Sequence, residues 1–219
     1  MQNNNKMQVK KLNRIDSEHL NLAFPDYKNI DKSKLSLSNE GLFSYSGKYA
    51  SAQLIKNIIS IFKTDKLIIT DCTANNGSDT IAFGLQFKKV NAIELNEINY
   101  NILKQNIEVY DLKNIDIING DSLEHIDKLK QDILYFDPPW GLDYYNRLPN
   151  IKLYLGQTEI SEIYNKFSKN AKIMIFKLPT NYDFTYFIQK TNIQKFKVKS
   201  YVVKNKIKFY YLFCYINKN

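Results

Sequence analysis

A short apolar run followed by a stretch of helical periodicity recurs along this chain, and that rhythm narrows the possible folds more than any single residue does. The runs are Lys66 to Thr70, Val90 to Glu94, Ile115 to Ile118 and Ile133 to Phe136. They are too short for helices and too apolar for strands with one wet face. Helical spacing fills the gaps, from about Ser78 to Phe87, Glu97 to Tyr110 and Leu123 to Lys130. A parallel strand pair needs a crossover of a dozen or more residues, which a helix supplies. Further on, a helix over about Thr158 to Ser168 leads to a strand at Ile173 to Lys177, and Asn181 to Lys190 reads as a helix. Lys195 to Val203 and Ile207 to Ile216 form a final hairpin turning near Asn205. The expected fold is α/β: a seven-stranded, mostly parallel sheet, covered on both faces, with a terminal antiparallel hairpin.

Upstream, Ala50, Leu54, Ile55, Ile58, Ile59 and Phe62 mark a helix within Gly47 to Lys63. Residues 1–40 are polar and read as an N-terminal extension with one or two short helices; residues 41–219 read as a single domain. Leu20, Leu22, Phe24 and Pro25 could form a small patch in the extension, and Lys10, Lys11 and Arg14 could meet phosphate there; a solvated tail is an equal reading.

The formal net charge of +9 favours a polyanionic partner. Arg14 and Arg147 are the only arginines. Lysine suits phosphate attraction, whereas bidentate base reading wants arginine, so backbone docking is expected over sequence-specific groove readout. Cys72 and Cys214 have no metal-ligand spacing and make no disulfide framework, which points to a reducing intracellular setting, cytoplasmic or nuclear. With no apolar stretch of about 18 residues, no membrane span is expected, and no metal site is visible.

The chemistry concentrates at strand ends. Asp137-Pro138-Pro139-Trp140-Gly141 follows the run Ile133 to Phe136. Two prolines end the strand in a rigid turn, because each lacks an N–H and has a fixed φ. The carboxyl edge of an α/β sheet is where ligands bind. An acid and a fixed carbonyl can grip an NH2 group, and the indole can stack a base, a combination that suggests chemistry on a nucleobase. Asp71 ends the first strand and opens a loop of small residues to Gly77; Glu94 ends the second, about 20 residues on, where a carboxylate commonly accepts from ribose hydroxyls. Asp121 ends the third and could accept from an adenine amino group. Singly, such acids are more often helix caps; four at one edge imply a ligand crevice. The loop lacks the glycine fingerprint of a dinucleotide cradle, which argues against a dehydrogenase. Acids at its mouth fit a cationic sulfonium cofactor, S-adenosylmethionine.

These residues resemble class I S-adenosylmethionine-dependent methyltransferases with a Rossmann-like fold, and more closely the trimethylguanosine synthases, RNA cap guanine-N2 methyltransferases with relatives in large DNA viruses. The resemblance spans roughly residues 41 to 180. It is carried by Asp71 to Gly77 with Thr80-Ile81-Ala82-Phe83, by Ala92-Ile93-Glu94, Asn106 to Tyr110, Gly120-Asp121 and Pro138 to Gly141 followed by Tyr144 and Tyr145. Phe43-Ser44-Tyr45-Ser46 is similar to a segment that closes over the cofactor. Asn75, Ser78 and Leu142 depart from the family's glycines.

The resemblance implies methyl transfer to an exocyclic nucleobase amine, with guanine N2 of a 7-methylguanosine RNA cap as first choice. It implies catalytic roles for Asp137, Pro138, Pro139 and Trp140, and cofactor contacts from Ser46, Asp71, Thr73, Asn75, Gly77, Thr80, Glu94, Asp121, Ser122 and Asp137. Trp140, Tyr144 and Lys177 are the expected substrate contacts, Lys177 toward a cap phosphate, and capped RNA the expected partner. Two alternatives stay open: an N6-adenine RNA or DNA methyltransferase, or a non-catalytic RNA-binding subunit, which the changed loop at Asn75 and Ser78 would suit.

Overall fold

The computed structural model describes residues 17–141, 145 and 147–216. Its elements are α1 (17–23), α2 (Gly41–Ser44), α3 (Lys48–Phe62), β1 (Ile68–Asp71), α4 (Ser78–Gln86), β2 (Lys89–Glu94), α5 (Glu97–Val109), β3 (Ile115–Asn119), α6 (Ser122–His125), β4 (Ile133–Phe136), β5 (Tyr154–Leu155), β6 (Thr158–Glu159), α7 (Ile160–Phe167), β7 (Ile173–Leu178), α8 (Phe184–Lys190), β8 (Lys195–Val203) and β9 (Lys206–Tyr215). Seven strands form one sheet in the order β3-β2-β1-β4-β7-β9-β8, and β5 and β6 pair separately. The pairs from β3 through β7 are parallel; β9 runs against both β7 and β8. The fold is therefore the expected Rossmann-like one, with β9 the single reversed strand.

Helix starts follow local chemistry. Asn96 accepts from the N–H groups of Ile98 and Asn99 at the start of α5, and Glu159 and Asp183 cap α7 and α8 in the same manner. Asn181 and Tyr182, read as helix, lie before that last cap, so α8 begins at Phe184. The hairpin turn puts Lys204 and Asn205 at φ 49° and 59°, the pair of left-handed residues that a tight turn between twisted strands requires.

Side chains of the central strands alternate between two cores. Ile133 and Tyr135 of β4 pack on the face carrying α3 and α4, while Leu134 and Phe136 pack under α7 and α8. A third core joins α1, α4 and α5, and it takes in part of the segment expected to be an extension. Leu20 and Phe24 are buried there, whereas Leu22 is exposed. The Tyr110 hydroxyl donates to the Pro25 carbonyl at 2.5 Å, and Asn106 bonds both backbone groups of Ser36. Lys10, Lys11 and Arg14 lie outside the described residues.

Candidate functional site

The sheet order reverses between β1 and β4: the chain leaves β1 toward β2 and β4 toward β7. At such a switch point the following loops diverge and leave a crevice at the carboxyl edge. Its walls are the loops after Asp71 and after Phe136, and they are tied together. Cys72 donates its N–H to the Tyr135 carbonyl at 2.9 Å, and the Thr73 hydroxyl accepts from the Asp137 N–H at 2.8 Å.

In the first loop, several expected cofactor residues spend their side chains on the scaffold. Asp71 is buried and accepts from the Thr80 hydroxyl at 2.6 Å and the Thr73 N–H at 3.2 Å. Burial pushes its carboxyl up to about 8, those bonds offsetting part of the effect. Asp71 and Thr80 thus staple β1 to α4. Asn75 sits at φ 47°, which asparagine tolerates better than any residue but glycine, so it can stand where the family has glycine. Its N–H donates to Glu94 at 2.7 Å and its side-chain NH2 to Ser44 at 2.8 Å. Gly77 caps α4 at φ 93°, and a Cβ there would lie 2.6 Å from Leu103. Ser78, the family's other departure, is buried in the first turn of α4.

Glu94 ends β2 with both oxygens engaged, by Asn75 and by the Asn96 N–H at 2.8 Å. Burial raises its carboxyl above the ordinary value. Asp121 behaves as the cap its position suggested, accepting from the Leu123 N–H at 2.9 Å, with Ser122 buried as the first residue of α6. Three serines connect the segment before α3 to the first loop and the start of α4: Ser38 with Asn76, Ser44 with Asn75 and Ser46 with Asp79.

The second loop holds the densest polar packing. Lys177 is 4% exposed, in a strand whose six residues are all buried. Its ammonium donates to Asp137 Oδ2 at 2.7 Å and to Ser46 Oγ at 2.9 Å. Ser46 donates in turn to Asp79, which also accepts from Ser51 at 2.5 Å and from the Tyr135 hydroxyl at 2.9 Å. The phosphate contact expected of Lys177 is not where the side chain lies: it points inward, because its β7 position carries a core-facing residue. Burial pushes Asp137 up to about 6, although Lys177 pulls it down.

Trp140 is half-buried between the two sheet cores. The rings of Tyr145 and Phe209 meet it edge-on at 5.5 and 6.1 Å, and Lys177 Nζ lies 5.5 Å from its centroid. Its indole N–H is buried with no hydrogen-bond partner among the described residues. Pro138 is buried and Pro139 exposed. Tyr144 and Leu142 lie outside the described residues.

Asp79, Ser51 and Tyr135 went unnoticed in the sequence. One signal was available: Lys177 interrupts an apolar strand at a core-facing position, and a buried lysine requires an acid nearby. Nothing local in the sequence marked Asp79 as a hub.

The crevice is lined by acids: Asp71 and Glu94 end β1 and β2, Asp121 and Asp137 follow β3 and β4, and the first loop is no glycine cradle. Residues 66–219 match the model of the family described as RNA cap guanine-N2 methyltransferase. An uncharacterised protein of Acanthamoeba polyphaga mimivirus is 33% identical over 212 residues, covering 83% of this chain and 82% of that protein. A putative methyltransferase structure from Porphyromonas gingivalis superposes with a TM-score of 0.65 at 18% identity, over 86% of this chain and 45% of that one. The Thermus thermophilus 16S rRNA N2 G1207 methyltransferase, solved with AdoMet and guanosine, gives 0.60 at 14% identity, over 77% and 43% of the two chains. Among the described residues no helix is long and apolar enough to cross a membrane. The chain belongs to the RNA cap guanine-N2 methyltransferase family.

Proposed function

We propose that this protein methylates the exocyclic N2 of guanine in the 7-methylguanosine cap of RNA. The observation that carries the reading is Asp137: a carboxylate at the switch-point crevice, with Oδ2 taken by Lys177, flanked by the Pro138-Pro139 turn and the half-buried Trp140. The family match and the guanine-N2 specificity of the Thermus enzyme support the choice of base.

S-adenosylmethionine supplies an electrophilic methyl group. Glu94 and Asp121 are the residues assigned to its ribose and adenine, and Gly77 and Asn75 to backbone approach. On the substrate side, Asp137 Oδ1 and the Pro138 carbonyl accept the two N–H bonds of the amine, which fixes the nitrogen lone pair in one direction. Positioning of this kind, in a site of low polarity, is the main source of acceleration available to these residues. Trp140 stacks on the base, worth roughly 1–3 kcal/mol, and gains a cation–π contribution from a positively charged 7-methylguanine. Lys195, Lys197 and Lys199, alternating along the edge strand β8, are assigned to the RNA backbone. Asn75 in its left-handed conformation fills the place of glycine without disrupting the loop, which weakens the non-catalytic alternative.

The test is radiolabelled methyl transfer onto a 7-methylguanosine cap analogue, an unmethylated cap, uncapped RNA and DNA. The expected result is label on the methylated cap and its near-complete loss in Asp137→Ala with the fold retained. Preferential label on internal adenines would establish the N6-adenine reading instead, and label surviving in Asp137→Ala would exclude Asp137 as the amine acceptor.

A further inference from the structure

We propose that Lys177 is a positioning residue for Asp137: its ammonium keeps the carboxylate charged and holds Oδ2 inward, so that Oδ1 is the oxygen presented to the amine. The inference rests on the amine-acceptor role of Asp137 given above.

The surroundings of Lys177 carry the argument. Its side chain is 5% exposed and that of Asp137 17%. A buried ammonium needs a partner that compensates its charge. Asp137 at 2.7 Å is that partner, Ser46 takes a second N–H at 2.9 Å, and the ammonium lies 4.9 and 5.5 Å from the ring centroids of Phe209 and Trp140. Both distances fall within cation–π range. One cation therefore touches the assigned amine acceptor and the assigned stacking ring together. Its reach across the sheet follows from register. Lys177 is on β7, beside β4, and shares the face of Tyr135 that α3 and α4 cover.

The other ionisable groups near Asp137 oppose its charge or leave it alone. Asp79 on α4 is an acid that disfavours a further negative charge, and Asp71 on β1, pushed up to about 8 by burial, adds none near neutral pH. Tyr135 on β4 and Tyr211 on β9 are buried phenols held well above their ordinary range, hence neutral. Lys177 is the cation in this set. Without it, a carboxyl shielded from water and facing Asp79 keeps its proton into the neutral range, and a protonated carboxyl offers the amine a competing donor in place of a charged acceptor.

The full-length chain is the material for the test, with Lys177→Met, Lys177→Gln and Lys177→Arg. Two readouts are needed. The first is the pH dependence of kcat on the cap analogue. The acid limb is expected to rise by a pH unit or more in the Met and Gln variants, a loss of roughly fivefold or more at the wild-type midpoint that recovers toward pH 9. Affinity for S-adenosylmethionine is expected to stay within about twofold, and Arg, which retains the charge, keeps the limb near its wild-type position. The second readout is the 13C titration of the Asp137 carboxyl, assigned by its loss in Asp137→Asn, which needs no substrate. It is expected to move upward in the Met and Gln variants. An equal loss of kcat at every pH, or an unchanged Asp137 titration, overturns the proposal. Should Met fail to fold, Gln, which keeps a donor and most of the volume, decides it. A wild-type chain that methylates no nucleobase sinks the cap reading, while the carboxyl titration still decides whether Lys177 governs Asp137.

Discussion

Replacing Trp140 with alanine separates substrate recognition from cofactor binding. The indole stacks on the base in the proposed complex, so its removal forfeits roughly 1–3 kcal/mol. At 1.36 kcal/mol per tenfold, that weakens binding of a 7-methylguanosine cap analogue by roughly 5- to 150-fold, the upper part applying because the methylated base is cationic. The same side chain packs against Tyr145 and Phe209, so a stability effect must be separated out. Fully buried Trp→Ala changes cost about 3–5 kcal/mol. Trp140 is only half-buried, and a cost nearer about 2 kcal/mol leaves a domain of ordinary stability folded. The assay is calorimetry with cap analogue and with S-adenosylmethionine, each titrated into the wild-type, Trp140→Ala and Trp140→Phe chains, with thermal unfolding alongside. Cap affinity is expected to fall in Ala and recover partly in Phe, while cofactor affinity holds. Equal losses for both ligands, or undiminished cap binding in Ala, would refute a stacking role and return Trp140 to the core.

Two further outcomes follow from the first loop. The folded chain keeps the Asp71 proton up to about pH 8, whereas the unfolded chain releases it near 3.8. Unfolding between those values therefore releases a proton, and stability falls as pH rises through that window. Asp71→Asn is expected to flatten the fall in thermal-unfolding measurements by up to about 1.4 kcal/mol per pH unit; an unchanged slope would mean that Asp71 is ionised in the folded state. At Asn75, alanine is expected to lower the melting temperature more than glycine does. Left-handed backbone costs a residue with a Cβ about 1–2 kcal/mol, or roughly 2–8 °C for a chain of this size. An alanine variant that melts no lower than the glycine one would show that φ is not what asparagine serves there.

Much of the fold was legible because its elements answer to local rules. The runs that became β1, β2 and β4 are buried on both faces, so they read as continuous apolar segments, and capping residues mark the helix starts. Errors fell at element ends, where one side chain decides: Asp183 delays α8 past Asn181 and Tyr182. The segment around Leu20 and Phe24 offered a small apolar patch or a solvated tail, because its few apolar residues carry no clear period, and its burial depends on the distant surfaces of α4 and α5. In the site, Asp137-Pro138-Pro139-Trp140 announced itself, since two prolines after an apolar run end a strand in any context. Asp71 and Thr80, expected at the cofactor, also staple β1 to α4, a contact between side chains nine positions apart that no local pattern announces.

What the sequence by itself determined was the succession of strands and helices, the turn after Phe136 and the acids at the strand ends, all consequences of periodicity, missing N–H groups and capping. What only the tertiary structure decided was which of these side chains meet. Lys177 reaches Asp137 across 40 positions, and Ser46 reaches Asp79 across 33. Such contacts depend on strand order and register, and those are settled by packing two faces of a sheet at once, which no local pattern encodes.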